Sequence, residues 1–106
     1  MDKGQEQPSS PGRQRLDKWL FFARLAKSRA IAQKWISEGM VRVNGATVAY
    51  ASLSLKPGDR VDLLSWNGIR QRVHGVEVLL PGSRRGPYEE ARHLYTDLGW
   101  QDVEEP

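Results

Sequence analysis

The chain has 106 residues, no cysteine and a formal net charge of +3. This length allows one domain, and the lack of cysteine excludes a disulfide framework, a thiolate zinc site and a cysteine nucleophile. The two histidines, His74 and His93, do not have the spacing of a metal site. No apolar run approaches the roughly 18 residues of a membrane span. The composition therefore predicts a small single domain that needs no metal or other cofactor and does not enter a membrane.

The first predicted elements are a tail and a helix. Residues 1–12 are rich in Gly, Pro, Ser and Gln and have too little apolar surface to offset the entropy of ordering, so we predict a disordered tail. A helix follows over about residues 14–26, because four apolar residues recur with the spacing of one helix face. They are Leu16, Trp19, Leu20 and Ala23.

A second helix is predicted over about residues 29–38. Ser28 is a favourable N-cap residue, because its hydroxyl can accept a hydrogen bond from a backbone N–H of the first turn. Gly39 is suited to end the helix in the left-handed conformation. Only Lys27 and Ser28 separate the two helices, so we expect the helices to pack as a compact pair.

Strand signals begin after the second helix. Val41 and Val43 lead into Asn44-Gly45, the dipeptide that favours a type I′ hairpin turn. The return strand is expected at about residues 46–49. These residues therefore predict a short hairpin directly behind the helix pair.

A longer hairpin is predicted further along the chain. The sequence Lys56-Pro57-Gly58-Asp59 has the composition of a turn, and a strand should follow over Arg60–Trp66. Asn67-Gly68 then signals a tight turn into a long strand over residues 69–80. Gly75 in that strand is a candidate for a β-bulge.

The C-terminal quarter is interpreted as a linker, a helix and a tail. Residues 81–87 form the linker. A short helix is predicted over residues 88–98, and Gly99 should end it. Residues 100–106 are then an acidic tail in which Trp100 packs the last helix down. The proposed helix face consists of Ala91, Leu94, Tyr95 and Leu98. The elements together predict the α+β class, with a helix pair packed on a small, mainly antiparallel sheet.

Positive charge is concentrated in residues 13–45, which contain only two acidic residues, Asp17 and Glu38. A basic helical unit on a near-neutral body is typical of proteins that bind nucleic acids. Asp17 has two interpretations. It pairs with Lys18 or Arg24 and orients them, or it favours the N-terminal dipole of the first helix, which we consider the better interpretation. The basic residues of the segment are Arg13, Arg15, Lys18, Arg24, Lys27, Arg29, Lys34 and Arg42.

The run R-L-D-K-W-L-x5-A-K-S-R-A-x-A-x3-I-x-x-G-x-V-x-V-N-G, which begins at Arg15, resembles the S4-type RNA-binding domain. The resemblance extends over about residues 15–64 and implies the fold known as the alpha-L motif. A later run, R-R-G-P-Y-E-E-A-R-H-L-Y, is similar to the small bacterial ribosome-associated heat-shock proteins. We therefore assign residues 13–80 to an S4-type domain with an extended hairpin, and residues 81–99 to the linker and C-terminal helix.

The resemblance implies RNA contacts at the positions that match the motif, namely Arg15, Lys18, Lys27 and Arg29. Charge alone adds three more basic side chains. The N-terminus of the second helix adds Ser28, because unpaired backbone N–H groups there can face a phosphate. The complete predicted RNA-binding set is Arg15, Lys18, Arg24, Lys27, Ser28, Arg29, Lys34 and Arg42.

The function implied by the resemblance is that of a non-catalytic, cytoplasmic RNA-binding protein. Its expected partners are the 23S rRNA of the large ribosomal subunit and tRNA, and its expected role is recycling or quality control of stalled subunits that carry peptidyl-tRNA. We expect a monomer.

Three alternatives were weighed against this function. A general binder of structured RNA or tRNA stays open, as does a DNA-binding regulator, since two packed helices can mimic a helix-turn-helix. A reduced RNA-modifying enzyme, such as a pseudouridine synthase, needs a large catalytic domain. Only about forty residues follow Leu64, so the sequence argues against an enzyme.

Overall fold

The computed structural model describes residues 12–66 and 68–103. Within them lie three helices, one 3₁₀ turn and a mainly antiparallel set of strands, so the predicted α+β class is confirmed. None of the helices in these ranges is long and apolar enough to cross a membrane. In chain order the elements are β1 Gln14–Arg15, α1 Leu16–Phe22, α2 Arg29–Ser37, β2 Val41–Val43, β3 Ala46–Thr47, β4 Ser54–Leu55, β5 Arg60–Trp66, β6 Gln71–Val78, α3 Tyr88–Ala91, the 3₁₀ turn Arg92–Leu94 and β7 Tyr95–Asp102.

Five of the strands form one antiparallel sheet in the order β3-β2-β5-β6-β7, and β1 pairs separately with β4. The core lies between this sheet and the helix pair. Side chains alternate between the two faces of a strand, so one face of β2, β5 and β6 supplies the valines of the core. The largest buried apolar side chains are Trp19, Leu16, Leu20, Ile36, Leu55, Val41, Val61, Val76 and Val78.

The first helix is shorter than the predicted range of residues 14–26. It spans Leu16–Phe22, and Ala23 is its C-cap residue. Arg24 has a φ of 61°, a left-handed conformation that reverses the chain. The backbone N–H groups of Leu25 and Ala26 then both bond to the carbonyl of Leu20. This reversal buries Ala26 and folds α2 back onto α1, and no glycine in the sequence signals it.

Several turn signals acted as predicted. Ser28 caps α2, and its Oγ accepts a hydrogen bond of 3.0 Å from the backbone N–H of Ile31. Gly39 follows the helix with a φ of +75°. Asn44 and Gly45 have φ values of 53° and 88°, as a type I′ turn between β2 and β3 requires.

The long hairpin also agrees with the prediction, although its second strand is shorter. Strand β5 has the predicted bounds, while β6 covers Gln71–Val78 instead of residues 69–80. Asn67 lies outside the described residues. The pairing of β6 with β7 shifts register between Gly75 and Val76, but the extra residue is Leu98 of β7, so the predicted bulge lies opposite Gly75 and not in β6. Strand β3 ends at Thr47, two residues before the predicted end of the return strand.

The predicted C-terminal helix over residues 88–98 is wrong in length. Helix α3 ends at Ala91, and β7 begins at Tyr95 and pairs with β6 at every residue except Leu98. The apolar spacing that suggested one helix face is therefore coincidental. The unpaired backbone groups along the edge of β6 need partners, and pairing with β7 satisfies them, which outweighs the local helical pattern.

The predicted acidic tail is likewise corrected for residues 100–102, which belong to β7. Gly99 does not end a helix but lies within the strand. Trp100 does not pack on the last helix either. Its ring stacks on the imidazole of His74, with ring centres 4.6 Å apart and an angle of 9° between the planes. Residues 104–106 lie outside the described residues, as do residues 1–11 of the predicted tail.

The linker that follows β6 is fixed to the helix pair. The indole N–H of the buried Trp19 donates to the carbonyl of Leu80 at 2.9 Å. The side-chain amide of Gln14 donates to the carbonyl of Gly82 at 2.8 Å and accepts from its N–H at 2.9 Å. These three hydrogen bonds hold the start of the linker against β1 and α1.

Candidate nucleic-acid interface

A buried carboxylate, Asp17, lies in the first turn of α1 and joins the two helices. It is fully buried. Arg15 donates two hydrogen bonds to it, at 3.0 and 3.1 Å. From α2, Arg29 donates at 3.3 Å and Gln33 at 2.8 Å. Two of the predicted RNA-binding residues thus share one carboxylate, which fixes their relative position.

The charge of Asp17 is stabilised by these donors. Burial on its own raises the pKa of this carboxyl, but hydrogen bonds from Arg15, Gln33 and Arg29 outweigh it and lower the pKa from 3.8 to about 2. The preferred interpretation of Asp17 as a helix-dipole residue is therefore incomplete. The other interpretation, a pair with Lys18 or Arg24, is wrong, because the ion-pair partners of Asp17 are Arg15 and Arg29.

Both arginines combine a fixed position with access to solvent. The side chain of Arg15 is 47% exposed and that of Arg29 is 43% exposed, although both touch a carboxylate with no exposure. A guanidinium carries five N–H donors in a planar fork that matches the oxygens of a phosphate. This geometry can present two oriented cations to one stretch of polyanion.

The N-terminus of α2 lies beside this pair. Lys27 is exposed immediately before the cap, Ser28 is the cap residue, and Arg29 is the first residue of the nine-residue helix. The structure therefore brings Lys27, Ser28 and Arg29 together at one helix end, with Arg15 joined to them through Asp17. The hydroxyl of Ser28 holds the first turn of α2, so its contribution includes shaping the helix end.

Three of the other predicted residues lie on the helix pair at different places. Lys18 is half-buried on α1, with its Nζ 5.6 Å from the ring centre of Phe22. Lys34 is exposed in the last turn of α2. Arg24 lies at the chain reversal, and its Nε donates to the carbonyl of Gly86 at 2.5 Å. Arg24 therefore also holds the linker.

Arg42 is separated from the rest of the predicted set. It lies on β2 between Val41, which is buried in the core, and Val43, which packs against the core. Because neighbouring side chains of a strand point to opposite faces, Arg42 lies on the sheet face away from the helix pair. Its cross-strand partner there is Asp62.

The matches to known proteins agree with this architecture. Residues 14–61 match the S4 domain family. The chain is 35% identical over 86 residues to the RQC P-site tRNA stabilizing factor of Bacillus subtilis, and the match covers 79% of this chain and 91% of that protein. The chain belongs to this S4-domain family. The S4-type resemblance predicted from the sequence is thereby confirmed.

Other members of the S4-domain family share shorter parts of their length with this chain. Heat shock protein 15 of Escherichia coli is 35% identical over 85 residues, which are 78% of this chain and 59% of that protein. Small ribosomal subunit protein uS4 of Opitutus terrae is 40% identical over 57 residues, which are 54% of this chain and 28% of that protein. The chain thus spans less than two thirds of the length of these two relatives.

A solved structure supports the fold. The chain superposes on Heat Shock Protein 15 of Vibrio cholerae with a TM-score of 0.68 and 30% identity, covering 80% of this chain and 81% of that one. That structure is described as trimeric. The relatives of this chain thus include a ribosomal protein, a heat shock protein and a tRNA stabilizing factor.

Two residues of the S4 region make structural contacts that the sequence did not predict. Gln33 is the first, and its signal is its position four residues after Arg29, on the same side of α2. The second is Asp59, which binds the backbone and Nζ of Lys56 at 2.9 and 2.8 Å and the amide of Asn44 at 3.1 Å. Burial raises the pKa of Asp59, but the hydrogen bonds from Lys56 and Asn44 lower it overall. Asp59 thus ties the two turns of the motif together.

Among the residues that the structure describes, no three His, Asp or Glu side chains are grouped so that they could hold a metal ion. The described site consists of cations, one buried carboxylate and a helix end, an arrangement suited to binding a polyanion.

Proposed function

We propose that this protein is a non-catalytic RNA-binding protein that binds the rRNA of the large ribosomal subunit. Its proposed role is the recycling or quality control of stalled subunits that carry peptidyl-tRNA. The observation that carries the proposal is that the buried Asp17 of α1 holds two half-exposed arginines, Arg15 and Arg29, the second of which begins α2. The names of two relatives, a heat shock protein and a P-site tRNA stabilizing factor, support the ribosomal setting.

The geometry suits structured RNA for a physical reason. The bases of an RNA duplex lie in a deep, narrow groove, so proteins recognise such duplexes mainly by shape and by contacts to phosphates and sugars. Arg15 and Arg29 are already ordered by Asp17, so less side-chain entropy is lost when they bind. Lys27 and the N-terminus of α2 add positive potential next to them.

The predicted RNA-binding residues are divided into central and outer contacts. Arg15, Lys27, Ser28 and Arg29 form the centre, since the last three lie at the N-terminus of α2 and Arg15 shares Asp17 with Arg29. The outer contacts are Lys18, Arg24, Lys34 and Arg42. The proposal includes 23S rRNA and tRNA as ligands, a cytoplasmic location and a monomer. Light scattering of the purified protein measures its oligomeric state. This control comes first because the structure of Heat Shock Protein 15 from Vibrio cholerae is trimeric.

Sedimentation of cell lysate on sucrose gradients at low and moderate salt tests the proposed function. We expect wild type to migrate with free large subunits, and to leave them as salt rises because counterions are released when phosphates are contacted. Arg15→Ala and Arg29→Ala should lose the comigration. Arg92→Ala is the matched control, since it removes the same charge from an exposed position in the C-terminal region.

A different gradient profile would contradict the proposal. If wild type stays at the top of the gradient at both salt concentrations, the ligand is not the large subunit, and a tRNA or DNA ligand becomes the better hypothesis. If all three variants comigrate like wild type, the protein binds the subunit through another surface.

A further inference from the structure

The sheet extends beyond the helices that cover it. A helix of nine residues such as α2 is roughly 13 Å long, whereas a strand of seven residues such as β5 is roughly 23 Å long. The far end of the covered face is therefore left without a helix. The side chains at this end come from β5, β6 and β7, including Ser65, His74 and Trp100.

A cavity of about 320 Å³ lies where the helix pair ends. This volume falls at the small end of the range found for ligand pockets, about 300–1,000 Å³. Its wall is largely apolar and aromatic, and polar groups are interspersed in it. The main lining residues are Leu25, Trp35, Glu38, Met40, His74 and Trp100.

One wall of the cavity is a fixed aromatic stack. Trp100 is half exposed and lies flat on His74, as described above. The Nε2 of His74 is 3.0 Å from Oδ1 of Asp97, which holds the imidazole in place. The indole is therefore supported from behind while half of its surface remains accessible. A flat ring in this state is a suitable platform for stacking.

One cation, Arg72, lies over the ring of this platform. The guanidinium carbon of Arg72 is 5.0 Å from the ring centre of Trp100. Arg70 and Arg72 share one carboxylate, Asp102, at 2.9 and 3.5 Å. On the helix side, the exposed Lys34 immediately precedes the cavity residue Trp35. A ligand with a flat apolar body and an anionic backbone would meet a favourable partner for each part.

We propose that this cavity takes one unpaired nucleobase of the bound RNA. The base stacks on Trp100, its polar edge meets Glu38 and Ser65, and the adjoining phosphates face Arg72 and Lys34. This inference rests on the proposed function. It adds a second contact to the phosphate contacts at the N-terminus of α2, and this contact requires a single-stranded nucleotide. Proteins commonly bind unpaired bases by stacking on aromatic rings beside basic side chains.

Fluorescence anisotropy with two labelled RNA probes tests the inference. One probe is a ten-nucleotide single strand. The other is a fully paired hairpin whose two strands are joined by a non-nucleotide spacer, so that it has no unpaired base. Trp100→Ala should weaken binding of the single strand by roughly 5- to 100-fold, the effect of losing one stacked base, and leave the paired probe unchanged. Trp100→Phe should bind the single strand within about threefold of wild type, because a ring is kept.

Trp66→Ala is the matched control. Trp66 is 63% exposed on β5 but does not line the cavity, so its removal should leave the affinity for both probes unchanged. A measurement on the unaltered protein complements the variants. A single strand that carries 5-iodouridine, irradiated in the complex, should form adducts at Trp100 or Trp35, which mass spectrometry of the digested protein identifies.

The outcomes separate this inference from the proposed function. If Trp100→Ala binds the single strand like wild type, or if the adducts form only elsewhere, the cavity does not take a base, although binding of the paired probe still supports the proposed function. Occupation of the cavity by a protein side chain would give the same result. If wild type binds neither probe but migrates with large subunits on the gradients, the inference is overturned and the proposed function stands.

Discussion

The helix pair and the last strand are built in different ways. The helix pair depends on contacts between residues that are close in sequence, such as the cap at Ser28 and the carboxylate of Asp17 with its donors within 16 residues. Strand β7 depends on its pairing with β6. The two residues of the aromatic stack, His74 and Trp100, are more than twenty positions apart in the sequence. The comparison teaches that the candidate RNA site lies in the locally encoded region, whereas the cavity arises only when the distant strand is in place.

The linker connects the two regions and shows how they stabilise each other. Trp19 and Gln14 from the helix region hold the carbonyls of Leu80 and Gly82. Tyr95, the first residue of β7, packs edge-on against Trp19 with ring centres 6.3 Å apart. The start of β7 is therefore fixed to the core, while its remaining residues extend along an exposed edge.

The largest expected effect on stability comes from the core beneath α1. Leu20 is fully buried, so Leu20→Ala should lower the free energy of unfolding by roughly 2–5 kcal/mol, through the lost apolar contact and the cavity left behind. Leu98 on β7 is 43% exposed, and Leu98→Ala should change the free energy of unfolding by roughly 0.5 kcal/mol or less. Urea denaturation of both variants provides the measurement. Similar losses for the two would show that the two regions contribute equally to the core.

An intermediate effect should appear in acid. Asp17 has a folded-state pKa of about 2 against an ordinary value of 3.8. A carboxyl whose pKa is depressed by folding contributes stability that is complete above the unfolded value and is lost as the pH falls towards the folded value. The free energy of unfolding should therefore decrease by roughly 2 kcal/mol on this account between about pH 5 and pH 2.

The variant Asp17→Asn isolates this contribution. It should be less stable than wild type at pH 7 and lose less stability between pH 5 and pH 2, because the titrating group is gone. Asp59 also has a depressed pKa and should leave some acid dependence in both proteins. Thermal unfolding across this pH range gives the comparison. Parallel curves for the two proteins would show that the arginines do not stabilise the charge of Asp17.

The smallest expected effect concerns the junction of the two regions. Gln14→Ala removes two hydrogen bonds to Gly82 and should lower the free energy of unfolding by roughly 1–2 kcal/mol. The amide of Gly82 should also exchange faster with solvent, which hydrogen exchange measures directly. Gln101→Ala, at an exposed position of β7, is the control and should leave this amide unchanged. Unchanged exchange in Gln14→Ala would mean that the linker is held by other contacts.

Local signals account for the part of the fold that was predicted correctly. Ser28, Gly39 and Asn44-Gly45 each act through the conformation of their own backbone, so the sequence alone identifies them. Strand β5 was bounded correctly because turn residues flank it on both sides. The positions of Lys27, Ser28 and Arg29 at the N-terminus of α2 followed from the same signals.

The remaining features depend on contacts that no short stretch of sequence records. The left-handed Arg24 is imposed by the packing of α2 on α1. Strand β7 is imposed by the open edge of β6, although the spacing of Leu94, Tyr95 and Leu98 suggested a helix. The buried role of Asp17 was missed because its donor Gln33 comes from the other helix. The sequence therefore predicts the basic residues of the candidate site, but not the carboxylate that orients two of them.

The most direct test of the account is the salt dependence of binding to purified large ribosomal subunits for wild type, Arg29→Ala and Arg92→Ala. We predict that Arg29→Ala lowers the slope of log K against log salt concentration by about one and weakens binding by roughly tenfold at low salt, because one phosphate contact is lost. Arg92→Ala should match wild type. Equal slopes and affinities for wild type and Arg29→Ala would show that the arginine held by Asp17 does not contact the ribosomal RNA.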